Sequence, residues 1–321
     1  MKVGLYFDVR NPTGWRGDWS RLYGFTLEVC EEAERLGCHS IWVTEHHLFD
    51  DGYLPQPLTL AAAVAARTRS VRIGTGIVIA PLHHPVEVAE QAAIVDIISA
   101  GRVDIGLGAG YRVPEFELFG ADIAHRYGTT DQCARELRRL WSGVVTPPPV
   151  QARVPIWMGY QGPKGAARAG RLGEGLLSAD GRLWPVYRDA FAAAGHDLAG
   201  ARMTGGISGW ATEDPEADWP VVAKHLANQL DSYRRYMVEG TGQPVPRPVD
   251  PDRLRQREPF SGPIGYFLYG TPEEVAVRVR EAVGDAPVDA VYFWASIAGM
   301  PEDLVVRNVR TVCERLAPLL A

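Results

Sequence analysis

Ser40-Ile41-Trp42-Val43-Thr44-Glu45-His46-His47 sets the frame for the whole chain. Its first four residues form a short β-branched and aromatic run bounded by polar residues, the pattern of a buried parallel strand. The polar tail Thr44-Glu45-His46-His47 follows at the C-terminal end, where a chain of alternating strands and helices places its catalytic groups. Histidine is the side chain suited to moving protons near neutral pH. Successive residues of an extended chain point to opposite sides, so one of His46 and His47 faces a pocket while that geometry lasts.

Outward from this stretch, apolar runs and helical patterns alternate. Strand-like runs occupy residues 3–7, 40–43, 71–80, 103–107, 155–158, 175–178, 203–211 and 289–294. Helical patterns fall at 19–36, 58–67, 85–99, 126–141, beyond 159, at 185–194, at 216–239 and at 302–319. Alternation of this kind implies a parallel sheet with helices outside. Eight units in 321 residues predict one (β/α)8 TIM barrel domain over 1–321, with loop insertions at the C-terminal face. An open doubly wound sheet is the alternative that shares the pattern. The segment 240–263, rich in proline, glycine and charge, breaks the rhythm and reads as an insertion, a lid or a subunit contact. Beyond it, Thr271 followed by Pro272 marks a helix start.

Composition narrows the function classes. A net charge of −6 with scattered basic residues leaves no footprint for nucleic acid. The four cysteines form no CxxC pair and read as reduced thiols rather than a disulfide or zinc framework. The N-terminus runs straight into a strand without a signal-peptide pattern, and no stretch reaches the roughly 18 apolar residues of a membrane span. A cytoplasmic protein with no membrane partner is expected.

Several motifs carry candidate chemistry. His83 and His84, read with His46 and His47, raise a metal site, but adjacent histidines are awkward chelators and no metal is expected. Gly106, Gly108 and Gly110 fall short of a dinucleotide fingerprint because Tyr111 stands where the next glycine is required, and Gly165 after Lys164 excludes a Walker A loop. The loop through Gly159, Gly162, Lys164 and Gly165 runs into a helix, offering backbone N–H groups and a cation to a phosphate, with Arg112 as a second cation. Glu115, just after Pro114, is either a helix-start carboxylate or a pocket acid. Trp15, Tyr160 and Trp294, near strand ends, suggest an apolar, aromatic-lined substrate pocket.

From Glu45 to Gly120 the chain resembles the luciferase-like monooxygenases, the flavin-dependent barrels related to bacterial luciferase. The resemblance is carried by Glu45-His46-His47, by Gly74-Thr75-Gly76-Ile77-Val78-Ile79-Ala80-Pro81 with His84-Pro85, and by Gly101-Arg102-Val103-Asp104-Ile105-Gly106-Leu107-Gly108-Ala109-Gly110 with Phe119-Gly120. It implies a barrel binding reduced FMN, or coenzyme F420, at its C-terminal face. It also implies a non-prolyl cis peptide near Gly76-Ile77 against the flavin ring, with Gly76, Ile77, Gly108, Ala109, Gly159, Gly162, Lys164 and Gly165 around the cofactor. His46, with His47 and Glu115, would be the catalytic group. Luciferase itself has a reactive cysteine at the position of Gly108 and an arginine at that of Ala109, so light emission is not implied. The implied activity is a two-component monooxygenase that uses O2, reduced FMN from a separate NAD(P)H:flavin reductase, and a small apolar organic substrate. Hydride transfer with F420 is the alternative on the same barrel. A non-catalytic flavin-binding protein and a metal hydrolase are readings from other classes. The resemblance further implies a homodimer formed by helices near the Glu45-His46-His47 side.

Overall fold

The computed structural model describes residues 1–256 and 267–321. Eight strands form the centre: β1 (Lys2–Phe7), β2 (Ser40–Val43), β3 (Arg72–Thr75), β4 (Val103–Gly108), β5 (Ile156–Met158), β6 (Gly175–Leu177), β7 (Met203–Ile207) and β8 (Val288–Trp294). Each pairs in parallel with the next, and β8 returns to β1 with Lys2 opposite Ala290 and Tyr6 opposite Trp294. The sheet therefore closes, as eight strand–helix units require, and the open alternative is excluded.

Closure depends on what fills the interior. Trp42, Trp157 and Tyr292 form a buried cluster with Tyr6 and Leu177. The neighbouring strand offers a glycine to each large ring. A Cβ on Gly74 would lie 2.3 Å from Trp42, one on Gly175 2.3 Å from Trp157, and one on Gly206 2.8 Å from Tyr292. Large against empty is how a narrow barrel reaches interior packing density. Truncating one of these rings costs about 3–5 kcal/mol.

The helices are α1 (Trp19–Arg35), α2 (Pro57–Arg67), α3 (Pro85–Ser99), α4 (Val113–Phe119), α5 (Arg126–Trp141), α6 (Gly162–Leu172), α7 (Trp184–Ala193), α8 (Pro215–Val238), α9 (Pro272–Val283) and α10 (Glu302–Arg310). The predicted start at Thr271 is a full capping box: its side chain accepts from the Glu274 N–H, and the Glu274 carboxylate accepts from the Thr271 N–H. Among the described residues no helix is long and apolar enough to cross a membrane. All four cysteines are free and buried.

Two expected strands are broken, both for local reasons. The run at 71–80 stops at Thr75, passes the cis Gly76–Ile77 peptide, and resumes at Val78–Ile79 against Leu107 and Gly108. The run at 203–211 leaves the barrel after Ile207, and Gly209–Ala211 pairs instead with Leu268–Gly270 in a two-stranded parallel sheet. An additional short helix, α4, follows β4; it stands outside the eight-unit alternation, at the helix start that one reading of Glu115 offered. Residues 240–256 of the expected lid run back along α8, where the Val249 N–H donates to Asp231 and Val249 and Leu254 are buried. Residues 257–263 of that segment lie outside the described residues.

Candidate active site

The C-terminal ends of β1, β2 and β4 converge on His46. Its Nδ1 lies 2.9 Å from Glu115 Oε1, and the same oxygen accepts the His47 backbone N–H at 2.8 Å. Glu115 is fully buried on α4. It lies in the first turn of α4, as the helix-start reading expects, and one of its carboxylate oxygens is spent on the histidine loop. The Glu115 contact occupies Nδ1 and leaves Nε2 as the free ring nitrogen. Nε2 has no partner among the described residues. Around the ring stand Phe49 at 4.8 Å, Tyr53 at 4.9 Å and Tyr111 at 5.0 Å between centroids.

His47 points the other way, as strand alternation requires. Its Nε2 lies 2.8 Å from Glu45 Oε1, which His83 Nε2 meets at 2.5 Å, while Glu45 Oε2 accepts the Ile79 N–H at 2.7 Å. Burial works against the Glu45 charge, but hydrogen bonds from His47 and His83 outweigh it and hold its pKa below the ordinary carboxylate value. Burial likewise opposes charge on His83, yet Glu45 wins and raises that imidazole's pKa. These three residues have the donor types of a metal site. Their contacts are hydrogen-bond contacts, and both Glu45 oxygens are satisfied without an ion. The cluster ties β2 to the resumed β3. His84 stands apart as the exposed N-cap of α3.

Of the residues expected at the cofactor, Gly76, Gly108 and Gly159 meet around Ile77. A Cβ on Gly108 would lie 2.7 Å from the Ile77 side chain, and one on Gly159 2.6 Å from it. The two glycines thus make a slot for Ile77, and Tyr6 donates to the Gly76 carbonyl at 2.8 Å. Ala109 is buried beside them. The first turn of α6, with Gly162, Lys164 and Gly165, receives no side-chain cap, and Lys164 is exposed. Uncapped N–H groups at a helix start suit a phosphate. Arg112 is committed elsewhere: it donates to the His47 carbonyl at 2.6 Å and pairs with Glu239 at 2.5 Å, anchoring the histidine loop to the end of α8.

The expected aromatic residues separate. Trp294 packs edge-on against Tyr6 at 4.3 Å, at the barrel mouth. Trp15, half exposed, lies 4.1 Å from the His225 ring. Tyr160 is buried on the α5–α6 side, with its hydroxyl on Asp131 at 2.6 Å, and none of its hydrogen-bond or ring contacts is with the His46 shell. Sequence reasoning missed Asp8, Arg10, Asp51, Tyr53 and Tyr233, which crowd the same end of the barrel. The available signal was Asp8-Val9-Arg10 directly behind β1, a strand-end position searched only for histidine.

A cavity of about 680 Å³ lies at the opposite, N-terminal mouth, lined by Lys2, His39, Arg72, Asp104, Arg202 and Asp289. It shares no residue with the His46 cluster.

The model of the family described as luciferase-like monooxygenase matches residues 1–289. The chain belongs to that family. It is 38% identical over 125 residues to the oxygenase component of the flavin-dependent trigonelline monooxygenase of Acinetobacter baylyi, covering 38% of this chain and 35% of that protein. It is 28% identical over 185 residues to the F420-dependent glucose-6-phosphate dehydrogenase of Amycolatopsis mediterranei, covering 51% of this chain and 55% of that one. These matches span about a third and about half of the relatives' lengths. The monooxygenase RslO1 of Streptomyces bottropensis superposes with a TM-score of 0.81 over 100% of both chains at 24% identity, a likeness of fold.

Proposed function

We propose that this chain is the oxygenase component of a two-component flavin-dependent monooxygenase, using O2 and reduced FMN from a separate NAD(P)H:flavin reductase. The observation that carries the reading is His46, buried in an aromatic shell with Nδ1 held by Glu115 and Nε2 free. The relatives named as flavin-dependent monooxygenases support it. The residues fit the flavin: Gly76 and Ile77 would back the ring, Gly108, Ala109 and Gly159 keep that wall in place, and Gly162, Lys164 and Gly165 would take the phosphate. Bound reduced FMN would supply the electrons for O2 activation. The chain's own part is to hold a proton acceptor at His46 Nε2 and to keep water out with Phe49, Tyr53 and Tyr111. A homodimer is part of this reading, because Ile94, Ile97 and Ile98 leave an exposed apolar face on α3.

The second reading, hydride transfer with F420, is favoured by the F420-dependent relatives. An anaerobic equilibrium titration of the purified chain with reduced FMN and with F420 in both redox states tests both. Tight binding of reduced FMN with O2 uptake dependent on added reductase and NADH is expected. Tight binding of F420 alone, without O2 uptake, overturns the proposal.

A further inference from the structure

Among the described residues, five buried side-chain polar atoms without a hydrogen-bond partner lie at this end of the barrel: Asp8 Oδ2, Arg10 Nη1, Thr44 Oγ1, Tyr111 OH and Glu115 Oε2. Such atoms are expensive to bury unmatched. Their concentration at one end of one barrel marks a place built for a polar guest.

Arg10 is the strongest of them. Its side chain is fully buried. Asp51 accepts from Nε at 2.7 Å and lies 2.6 Å from Nη2, while Ser232 also accepts from Nη2. That commits one edge of the planar fork and leaves Nη1 on the edge facing away from Asp51. Tyr53 and Tyr233 each lie 5.2 Å and Phe49 5.7 Å from the guanidinium carbon, so the cation is boxed by rings. The Tyr53 ring centre is 4.9 Å from that of His46 and 5.2 Å from Arg10 Cζ, so both groups flank the same ring. Asp8 and Arg10 line a cavity of about 270 Å³ together with Val9, Asn11 and Ser296. Between Asp8 and Arg10, Val9 has φ 51°, a left-handed conformation that is an outlier for a β-branched residue. Strain of this kind persists where the surroundings enforce it, and it gathers at functional sites.

We infer that the substrate is a compact aromatic carboxylate, its carboxyl group seated on Arg10 Nη1 and Asp8 Oδ2 and its ring held against His46. This rests on the oxygenase reading above, and it replaces the apolar substrate expected from the sequence with one carrying a charged head. Asp8 suits the role. Burial pushes its carboxyl up to about 7, against the pull of Arg10 and with help from Asp51. The other titratable groups facing it are Tyr6, Tyr53 and Tyr233. An arriving carboxylate drives Asp8 fully to the acid, which then donates from Oδ2 while Arg10 donates from Nη1; the two carboxyl groups share one proton.

The test is calorimetric titration of the full chain with benzoate, benzamide and benzyl alcohol, in buffers of different ionisation enthalpy. Benzoate should bind at least about tenfold more tightly than the two neutral probes, as a charge-assisted buried pair requires, and should take up a proton near pH 8. Arg10→Met should erase the preference, while Arg10→Lys should keep part of it. Asp8→Asn should keep benzoate binding and lose the proton uptake. Far-UV circular dichroism identifies any variant that fails to fold, and the wild-type preference stands as a test without variants. Equal binding of the three probes, no detectable benzoate binding, or a preference that survives Arg10→Met overturns the inference. Reduced-FMN binding is measured separately. If FMN binds and the benzoate preference is absent, this inference fails alone; if the preference holds and FMN does not bind, the oxygenase reading fails alone.

Discussion

Replacing Asp8 by asparagine should stabilise the protein, and more so as pH rises. Asp8 is 3% exposed and its Oδ2 has no partner. Burial raises its pKa from 3.8 to about 7 in the folded chain. Between those values the folded state keeps a proton that the unfolded chain has lost, so stability falls as pH rises and levels off above about 7. Each unit is worth about 1.4 kcal/mol, so the two units from pH 5 to pH 7 remove roughly 2.7 kcal/mol from the wild type. Asparagine has the same shape and does not titrate. With an unfolding entropy of about 2.1 cal/mol/K per residue over 321 residues, 1 kcal/mol corresponds to about 1.5 °C. The Tm advantage of Asp8→Asn should therefore grow by about 4 °C between pH 5 and pH 8, read by scanning calorimetry at matched ionic strength. An advantage that stays constant within about 1 °C across that range would refute the reasoning, because Asp8 would then be ionised in the fold like any surface carboxylate.

Other substitutions probe other parts of the site. Glu115→Gln should lower kcat by about a hundredfold or more while ligand affinities change only a few-fold, because it weakens the hydrogen bond that orients His46. Gly108→Ala drives a methyl group to 2.7 Å from Ile77, so a loss of about 1–3 kcal/mol in stability and weaker reduced-FMN binding are expected from denaturant unfolding and titration. Ile94→Glu, on the exposed face of α3, should leave Tm near the wild-type value at low concentration while shifting sedimentation equilibrium toward the monomer; an unchanged mass would count against that face as the interface.

Much of the barrel was legible because its code is local. Apolar runs such as Ser40-Ile41-Trp42-Val43 and caps such as Thr271-Pro272 are decided by neighbours in sequence, and the structure has strands or helix starts there. The misreadings came from contacts between distant segments. Nothing within residues 71–80 states that the strand must break so that Ile77 can lie between Gly108 and Gly159. Nothing at 209–211 announces a partner at 268–270, more than fifty residues on. The site divides the same way. His46 could be read from its strand end, but its bond to Glu115 spans 69 residues. Arg10 carries no local signal of its partners, because Asp51 and Ser232, which close around it, are 41 and 222 residues away in sequence.

The small parallel sheet of Gly209–Ala211 with Leu268–Gly270 has a consequence for how this family diversifies. It brings the departure and return points of a long excursion side by side, with Thr212 donating its N–H to the Gly270 carbonyl at 3.1 Å. That excursion carries α8, and α8 supplies Ser232, Tyr233 and Tyr236 to the wall around Arg10 and Phe49. The residues proposed for the cofactor come from the β3–β5 side of the barrel instead. On the readings proposed above, α8 bears on the guest's seat and the β3–β5 side on the cofactor. A graft between positions 212 and 270 would have to keep the two strand ends in register and also replace the Glu239 partner of Arg112 and the Ser232 partner of Arg10.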